Sequence, residues 1–407
     1  MGGFFKRLSA IEKARPFMRM PDERTLSLAA IVLMWTGYVG AVELIATAAL
    51  GSLGGQVPAV STHLLHGFID DLQGAPPLAR WDSIWFYAIA DEGYSGARAE
   101  SRHTPAFLPL YPFTMRWLAA ATGLDFFTAG LWISRLSLLV TLLFLARQSQ
   151  GEDGSERFEC TAPAALLAFP SAYLLVAVYS ESLFLALTLA AFSLAQGQRY
   201  AAAAACAFAA SLTRIQGLAL VAALAVQGYL QWHSLRRSAW CFVPSAAGLA
   251  AYAAMLAYCG LVFGDPLYHF AVKRELWHQG PSPPWATLGA AIDRTLDAAN
   301  LNDLGSIYAL LELPSGYLAA LVTVLLVFEG APRRWPEITF IGCSLGMSLF
   351  GGAFGGMPRF TLVLFPVFVA LARLHQRPSL WHLYLIAGGL LQACLIVNYV
   401  GFKAPAP

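Results

Sequence analysis

Charge is scarce in this chain. Of its 407 residues only 12% are Asp, Glu, Lys or Arg, while 57% are hydrophobic. A soluble domain carries roughly twice that charged fraction. With a mean hydropathy of +0.58, the composition argues for one polytopic membrane unit, although the length alone would allow two or three soluble domains. Basic tracts are missing too, which excludes a nucleic-acid partner. The net charge of +2 says little about partners, because in a membrane protein the placement of charge matters more than its sum.

Cysteine is sparse and scattered. Cys160, Cys206, Cys241, Cys259, Cys343 and Cys394 lie far apart, mostly inside apolar runs. No CxxC or Cys/His spacing points to zinc or to a disulfide framework, and all six are expected to pack in the core. His269 and His278 have no ligand-like spacing, so no metal site is expected. Internal repeats are absent, as is the inverted pair of broken helices found in many secondary transporters.

What the chain has is apolar runs. A membrane helix needs roughly 17–25 mostly apolar residues. Such runs fall near 26–50, 129–147, 161–178, 180–196, 199–215, 216–232, 239–261, 306–328, 337–353, 359–375 and 380–402. The expected fold is therefore an all-α polytopic integral membrane protein with about eleven transmembrane helices. The first run follows Lys6, Arg7, Lys13, Arg15, Arg19 and Arg24. It is longer than the ~7–15-residue core of a cleaved signal. Residues 1–25 are thus expected to form a cytoplasmic N-terminal segment, and 26–402 a single transmembrane domain.

Placement of arginine tests this order. With an inside N-terminus, the inner connections hold Arg147 and Arg157, Arg199, Arg236 and Arg237, Arg333 and Arg334, then Arg373 and Arg377. Every inner connection carries arginine, as the positive-inside rule requires. Counting 107–122 as a further span would turn all of them outward. That segment, with Pro109, Pro112 and Arg116, is expected to lie at the membrane surface. The outer face then holds a long first loop, 51–128, with surface helices, and a second large loop, 262–305. It also holds the turns "YSES" at 179–182, "TRIQG" at 213–217 and "GMPRF" at 356–360.

The unusual chemistry sits on that outer face. In "LARWDSIWFYAIADEGY", residues 78–94, Asp82 is followed at i+3, i+4 and i+7 by Trp85, Phe86 and Ile89, one apolar stripe of an amphipathic helix. Two readings compete. Asp82 or Ser83 is an N-cap and the aromatics form an interfacial belt. Alternatively, Asp82 is a carboxylate held at headgroup level, near Arg80, to take a proton from a hydroxyl nucleophile. Asp70, Asp71, Asp91 and Glu92 are rivals in looser surroundings. Glu181, Arg214 and Arg359 stand at the outer ends of spans. An ionised group at a span's centre costs ~2.5–3.5 kcal/mol and less toward its ends, so they either snorkel, pair with one another or line a polar pocket. The forked donors of arginine suit phosphate oxygens. Lys273 and Arg274 read as a solvated loop pair.

Several stretches together resemble a known family. "RWDSIWFYAIADEGY", "FLPLYP", "LAFPSAYLLVAVYSESLFL", "LTRIQGLAL", "FGDPLYHF" and "MPRFTLVLFPVF" are similar, in order, to bacterial relatives of PIG-V, the second mannosyltransferase of GPI-anchor assembly. One departure is Arg214-Ile215 where many relatives have Arg-Pro, which puts only the shape of that turn in doubt. The resemblance implies a GT-C fold and a glycosyltransferase that takes a sugar, by resemblance mannose, from a polyprenyl-phosphate carrier outside the cytoplasm. It implies Asp82 as the catalytic base and inversion at the sugar. Arg214, Arg359 and Arg80 are the candidates for the donor phosphate. Trp81, Ser83, Tyr111, Ser180, Glu181 and Asp265, all within the matching stretches, are the candidates for the substrate pocket. A donor with a single phosphate needs no metal bridging two phosphates, so no cofactor is expected. The acceptor is a glycolipid, a glycan or a protein hydroxyl, the surroundings are membrane lipids, and in a bacterium the location would be the inner membrane. A transporter or flippase of lipid-linked sugar would use the same outer pocket without chemistry. A structural membrane subunit with aromatic anchors is a third reading.

Overall fold

Long apolar runs become long helices where nothing interrupts them, and in this chain proline and buried polar residues interrupt many. The computed structural model describes residues 23–54, 74–94, 99–148, 159–234, 238–300 and 307–401. Within these the order is α1 (Glu23–Ser52), α2 (Ser83–Glu92), α3 (Leu110–Thr122), α4 (Phe126–Gln148), α5 (Thr161–Leu167), α6 (Glu181–Gln196), α7 (Tyr200–Ser211), α8 (Gly217–Ser234) and α9 (Val243–Phe263). Then come α10 (Tyr268–Trp277), α11 (Pro284–Asn300), α12 (Ile307–Leu310), α13 (Glu312–Glu329), α14 (Trp335–Phe350), α15 (Met357–Leu362), α16 (Phe365–Ala372) and α17 (Pro378–Val400). No strand occurs among the described residues. Asp70, Asp71, Arg157, Arg236, Arg237 and nearly all of the 1–25 segment lie outside them.

Five stretches are long and apolar enough to cross a membrane: Ser27–Ser52, Phe126–Gln148, Ala239–Phe263, Ile307–Glu329 and Pro378–Val400. A sixth forms if Phe354–Leu362 and Phe365–Gln376, bent by 65° at their break, count as one. The long helices turn Leu33, Leu44, Leu261, Phe328 and Leu383 outward, as lipid-facing surfaces do. The fold is thus helical and suited to a membrane, but several expected spans are shorter than expected. The helices α6 and α7 have 16 and 12 residues. At 1.5 Å per residue they rise about 24 and 18 Å, short of a ~30 Å hydrocarbon core. The 13 residues of α3 rise about 20 Å and cannot cross either.

The run 161–178 departs most from a continuous helix. It is helical only through Leu167, breaks before Pro170, and resumes as a 3₁₀ turn over Ala172–Leu175. Proline removes a backbone donor and clashes with the preceding turn, so the broken segment exposes carbonyls that need partners. The last helix supplies them. Gln392 Nε2 donates to the carbonyls of Leu167 (3.1 Å) and Phe169 (2.9 Å), and the Tyr384 hydroxyl donates to Ala165 O (2.6 Å). Gly388 permits that approach, since a Cβ there would stand 1.9 Å from Ala168 O. This irregular stretch, with Tyr173 and Tyr179 buried in it, runs through the centre of the molecule.

Around that centre the helices pack pairwise. The alanine-rich α7 lies against α6 and α9, α8 against α14, α16 against α5, and α17 against α1. Small residues let these backbones come close. A Cβ on Gly248 of α9 would meet Val221 Cγ2 at 2.7 Å and Ser211 Oγ at 3.0 Å. The second large loop is not a loop throughout, because α10 and α11 fill most of it.

Candidate active site

The site starts from a strained turn. Trp81 sits at φ +57°, a region unfavourable for a bulky side chain and worth roughly 1–3 kcal/mol of strain. Two tyrosines clamp the backbone there. The Tyr399 hydroxyl accepts from Arg80 N (3.0 Å) and donates to Arg80 O (2.9 Å), while the Tyr179 hydroxyl accepts from Asp82 N (3.3 Å). Ser83 Oγ donates to Arg80 O (2.8 Å) and closes the turn. Helix α2 begins immediately after, and its far end is fixed by Arg116, which donates to the carbonyls of Ala90 and Asp91.

Asp82 occupies the N-cap position of α2, yet its side chain makes no capping bond. Its Oδ2 instead accepts from Arg359 Nη1. No described residue hydrogen-bonds to Oδ1. The same thing happens at α6, where Ser180 stands at the N-cap without capping and accepts from Arg214 Nη1 at 3.2 Å. Glu181, the next residue, receives both arginines on one oxygen. Its Oε1 is 2.7 Å from Arg214 Nη1 and also accepts from Arg359 Nε. Arg214 Nε reaches Gln216 Oε1 at 3.4 Å.

A chain of four charges results, Asp82–Arg359–Glu181–Arg214. Relative exposures are 6% for Asp82, 0% for Glu181 and 7% for each arginine. The four formal charges cancel. Burial of this kind tolerates the whole network but not its halves, since removing one partner strands a charge away from water. Arg359 also lies over the Tyr179 ring, 4.7 Å from its centroid, a cation–π contact. The Ser171 hydroxyl donates to Pro358 O (2.7 Å) and so ties the broken central segment to the residue before Arg359.

Three of the expected residues therefore meet as one unit with Asp82: Arg214, Arg359 and Glu181, joined by Ser180. The others are placed differently. Arg80 is fully buried and braces its own loop, with Nη1 donating to Pro76 O and Ala79 O (both 2.9 Å). Tyr111 directs its hydroxyl to Gly130 O (3.0 Å) and Ser134 Oγ (2.8 Å) inside the core. Asp265 is exposed, and its carboxylate accepts from Leu267 N (2.8 Å), shaping the turn before α10. Glu92 is only half-buried and Asp91 exposed at the far end of α2.

The aromatic stripe is not an interfacial belt. Trp85, Phe86 and Ile89 are buried. Phe86 packs edge-on to Tyr111 and Phe107 at 5.0 and 5.2 Å, and Trp85 meets Phe107 at 6.1 Å and Trp277 at 6.2 Å. Trp277 belongs to α10, whose other contacts reach the same place. His269 Nδ1 lies 2.6 Å from Pro105 O, and Glu275 lies 3.7 Å from His103 Nε2. Burial and the neighbouring Lys273 push the His269 pKa down to about 3. Sequence reasoning left α10, Tyr179 and Tyr399 out of the site. The i, i+4, i+8 spacing of His269, Lys273 and Trp277 was the available signal for α10.

Among the described residues no three His, Cys, Asp or Glu side chains gather as a metal site would need. Residues 58–239 match the family model described as Mannosyltransferase (PIG-V). That stretch contains Asp82, Ser180, Glu181 and Arg214, and ends before Lys273, Arg359 and Tyr399. No curated protein matches the chain.

Proposed function

We propose that the chain is a glycosyltransferase of the PIG-V-like mannosyltransferase family, a reading supported by the match of residues 58–239 to that family's model. Its sugar, mannose, comes from a polyprenyl-phosphate carrier and goes to an acceptor hydroxyl, on a glycolipid, a glycan or a protein, with inversion. Asp82 is the general base. The observation that carries this is a carboxylate at a helix N-cap that caps nothing, held through Oδ2 by Arg359, with no hydrogen bond from a described residue to Oδ1.

The steps follow from that geometry. Arg359 and the Tyr179 hydroxyl fix the position of Asp82, so Oδ1 is ready to accept the acceptor's proton as its oxygen attacks the sugar C1. The bond from C1 to the carrier phosphate breaks as the new bond forms, and the electron pair leaves on phosphate oxygen. Preorganised donors stabilise such developing charge most when they are already in place and dry. Arg214 and Arg359 are held by Glu181 in this way. The N-termini of α2 and α6 adjoin the same cluster and add positive potential. The donor carries one phosphate, so the chemistry calls for no metal.

Outer placement of the site is supported by convergence. The segments around 82, 181, 214 and 359 are far apart in sequence, all fall outside by the arginine count, and meet in one cluster. Two connectors counted as inner also meet, through Arg373 and Glu329. Eleven membrane segments fit this arrangement if the short and bent helices complete the six longer ones. In a bacterial cell the site would face outward from the inner membrane.

The test uses purified protein, labelled polyprenyl-phosphate-mannose and extracted membrane lipids. Label is expected to move to a new species. Asp82→Asn should still bind the carrier lipid and transfer at least a hundredfold more slowly, the loss typical of a missing general base, about 10²–10⁴-fold. Because Asp82 makes no cap bond, and Asn can still accept from Arg359, which stays paired with Glu181, the thermal unfolding midpoint should fall only modestly. Near-parental turnover in this variant would remove Asp82 from the chemistry.

A further inference from the structure

Arg214 and Arg359 can donate hydrogen bonds to the donor phosphate, but the charge balance of the network leaves no net positive charge to offset it. Asp82 and Glu181 neutralise Arg359 and Arg214 within the network. The phosphodiester of the donor enters with one negative charge. When the bond from C1 to phosphate oxygen breaks, the phosphate gains a second negative charge. The acceptor's proton meanwhile neutralises Asp82. The buried site thus needs a cation not already committed to a carboxylate.

Lys273 meets that description. It is half-buried, and among the described residues no carboxylate pairs with its ammonium. It stands on α10 one turn after His269 and one turn before Trp277. Those two residues face inward, toward Pro105, Trp85 and Phe107. Side chains at i and i+4 share a helix face, so Lys273 projects toward the side where α2 begins with Asp82. Arg214 and Arg359 act against its charged form and Asp82 in favour of it.

We propose that Lys273 is the donor-phosphate cation, carried to the site by α10, and that it binds the single phosphate of a polyprenyl-phosphate sugar and holds it as a dianion after the sugar leaves. This rests on the transferase reading of the Asp82 cluster. Lys273 keeps its proton throughout, so the only proton moved is the one passed from acceptor to Asp82.

A pH signature follows. Burial and the two guanidiniums push the Lys273 pKa from its ordinary value down to about 8. The charged groups acting on it across the site are Asp82, Arg214 and Arg359; His103 lies on the 3₁₀ segment Ala99–Ala106 packed against α10, and His269 and Glu275 on its own helix. His269, at about 3, is neutral throughout, and His103 lies against Glu275. Phosphate binding is therefore full well below pH 8 and lost as the pH rises through it.

The measurement is equilibrium binding of polyprenyl phosphate to the full-length protein in nanodiscs between pH 6.5 and 9.5, with uncharged polyprenol as control. Parental affinity should fall across pH 8, and polyprenol binding should not. Lys273→Met should weaken polyprenyl phosphate binding roughly 10–100-fold, the worth of a hydrogen bond to a charged group, and abolish the pH dependence. Lys273→Arg should keep binding and move its alkaline limit above pH 9.5, because a guanidinium stays charged there. Thermal midpoints of both variants check folding. Parental affinity and an unchanged pH curve in Lys273→Met would overturn the proposal. Lysine-dependent binding in a protein that transfers no mannose would instead overturn the transferase mechanism while leaving the phosphate site standing.

Discussion

Glu181 holds two guanidiniums on one oxygen and is shielded completely from solvent, which makes it the structural centre of the charged chain. Its neutralisation would leave two buried arginines facing Asp82 alone. Breaking a buried ion pair by removing one partner typically costs about 3–5 kcal/mol. Glu181→Gln should therefore lower the thermal unfolding midpoint in detergent markedly, and Asp82→Asn, which leaves Arg359 with Glu181, should lower it less. A double variant, Glu181→Gln with Arg214→Met, should be less destabilised than the sum of its parts, because removing the stranded charge offsets the first loss. Additive effects would mean that the two residues do not act as a pair. The residue types were legible in the sequence. That Glu181 braces the arginines and Asp82 receives only one of them was not, since spacing along a chain says nothing about who shares an oxygen across 178 positions.

Among the elements, the broken segment after α5 and the last helix α17 depend on each other. Gln392 and Tyr384 donate to carbonyls of the segment that Pro170 breaks, and Tyr399 near the end of the same helix clamps Arg80, which precedes the strained Trp81. Gly388 is the point of closest approach. Gly388→Ala would force a Cβ to within 1.9 Å of Ala168 O, so α17 must move away. Overpacking of this kind costs about 1–3 kcal/mol. The expected outcome is a lower unfolding midpoint together with reduced transfer, because Tyr399 shifts with its helix. Gly389→Ala, where a Cβ meets nothing within 4 Å, should leave both unchanged. Equal effects of the two substitutions would rule out the packing contact as the cause. The 161–178 run read as one helix because periodicity detects apolar residues and is blind to where a neighbouring helix can take over a carbonyl.

For the whole molecule the expectation is topological. Single cysteines placed near Gly74 and Gly123 in a cysteine-free background should react with a membrane-impermeant reagent added from outside. Those near Gln150 and Arg334 should react only after the membrane is opened. Labelling at Gln150 from outside would invert the assigned order of segments. At this scale the sequence was informative about class and poorer about lengths. Low charge and apolar runs announced a helical membrane protein, and arginine placement supplies the order of segments that the labelling tests. The number of full spans could not be read, because a run such as that of α7 is as apolar as a span yet has 12 helical residues, and its ends are set by the helices packed on it.

The sequence by itself determined what kind of solvent the chain is built for and which side chains could bear chemistry. Each of these follows from local composition: burying charge in lipid is costly, so the few ionisable residues stand out. Only the tertiary structure decided what those residues do to one another. It turned Asp82 away from its cap and onto Arg359, placed Glu181 between both arginines, sent Arg80, Tyr111 and Asp265 to other partners, and laid Lys273 of α10 toward the site. Those outcomes depend on contacts between elements far apart in the chain, where packing and the pairing of buried charge, rather than any local preference, select the arrangement.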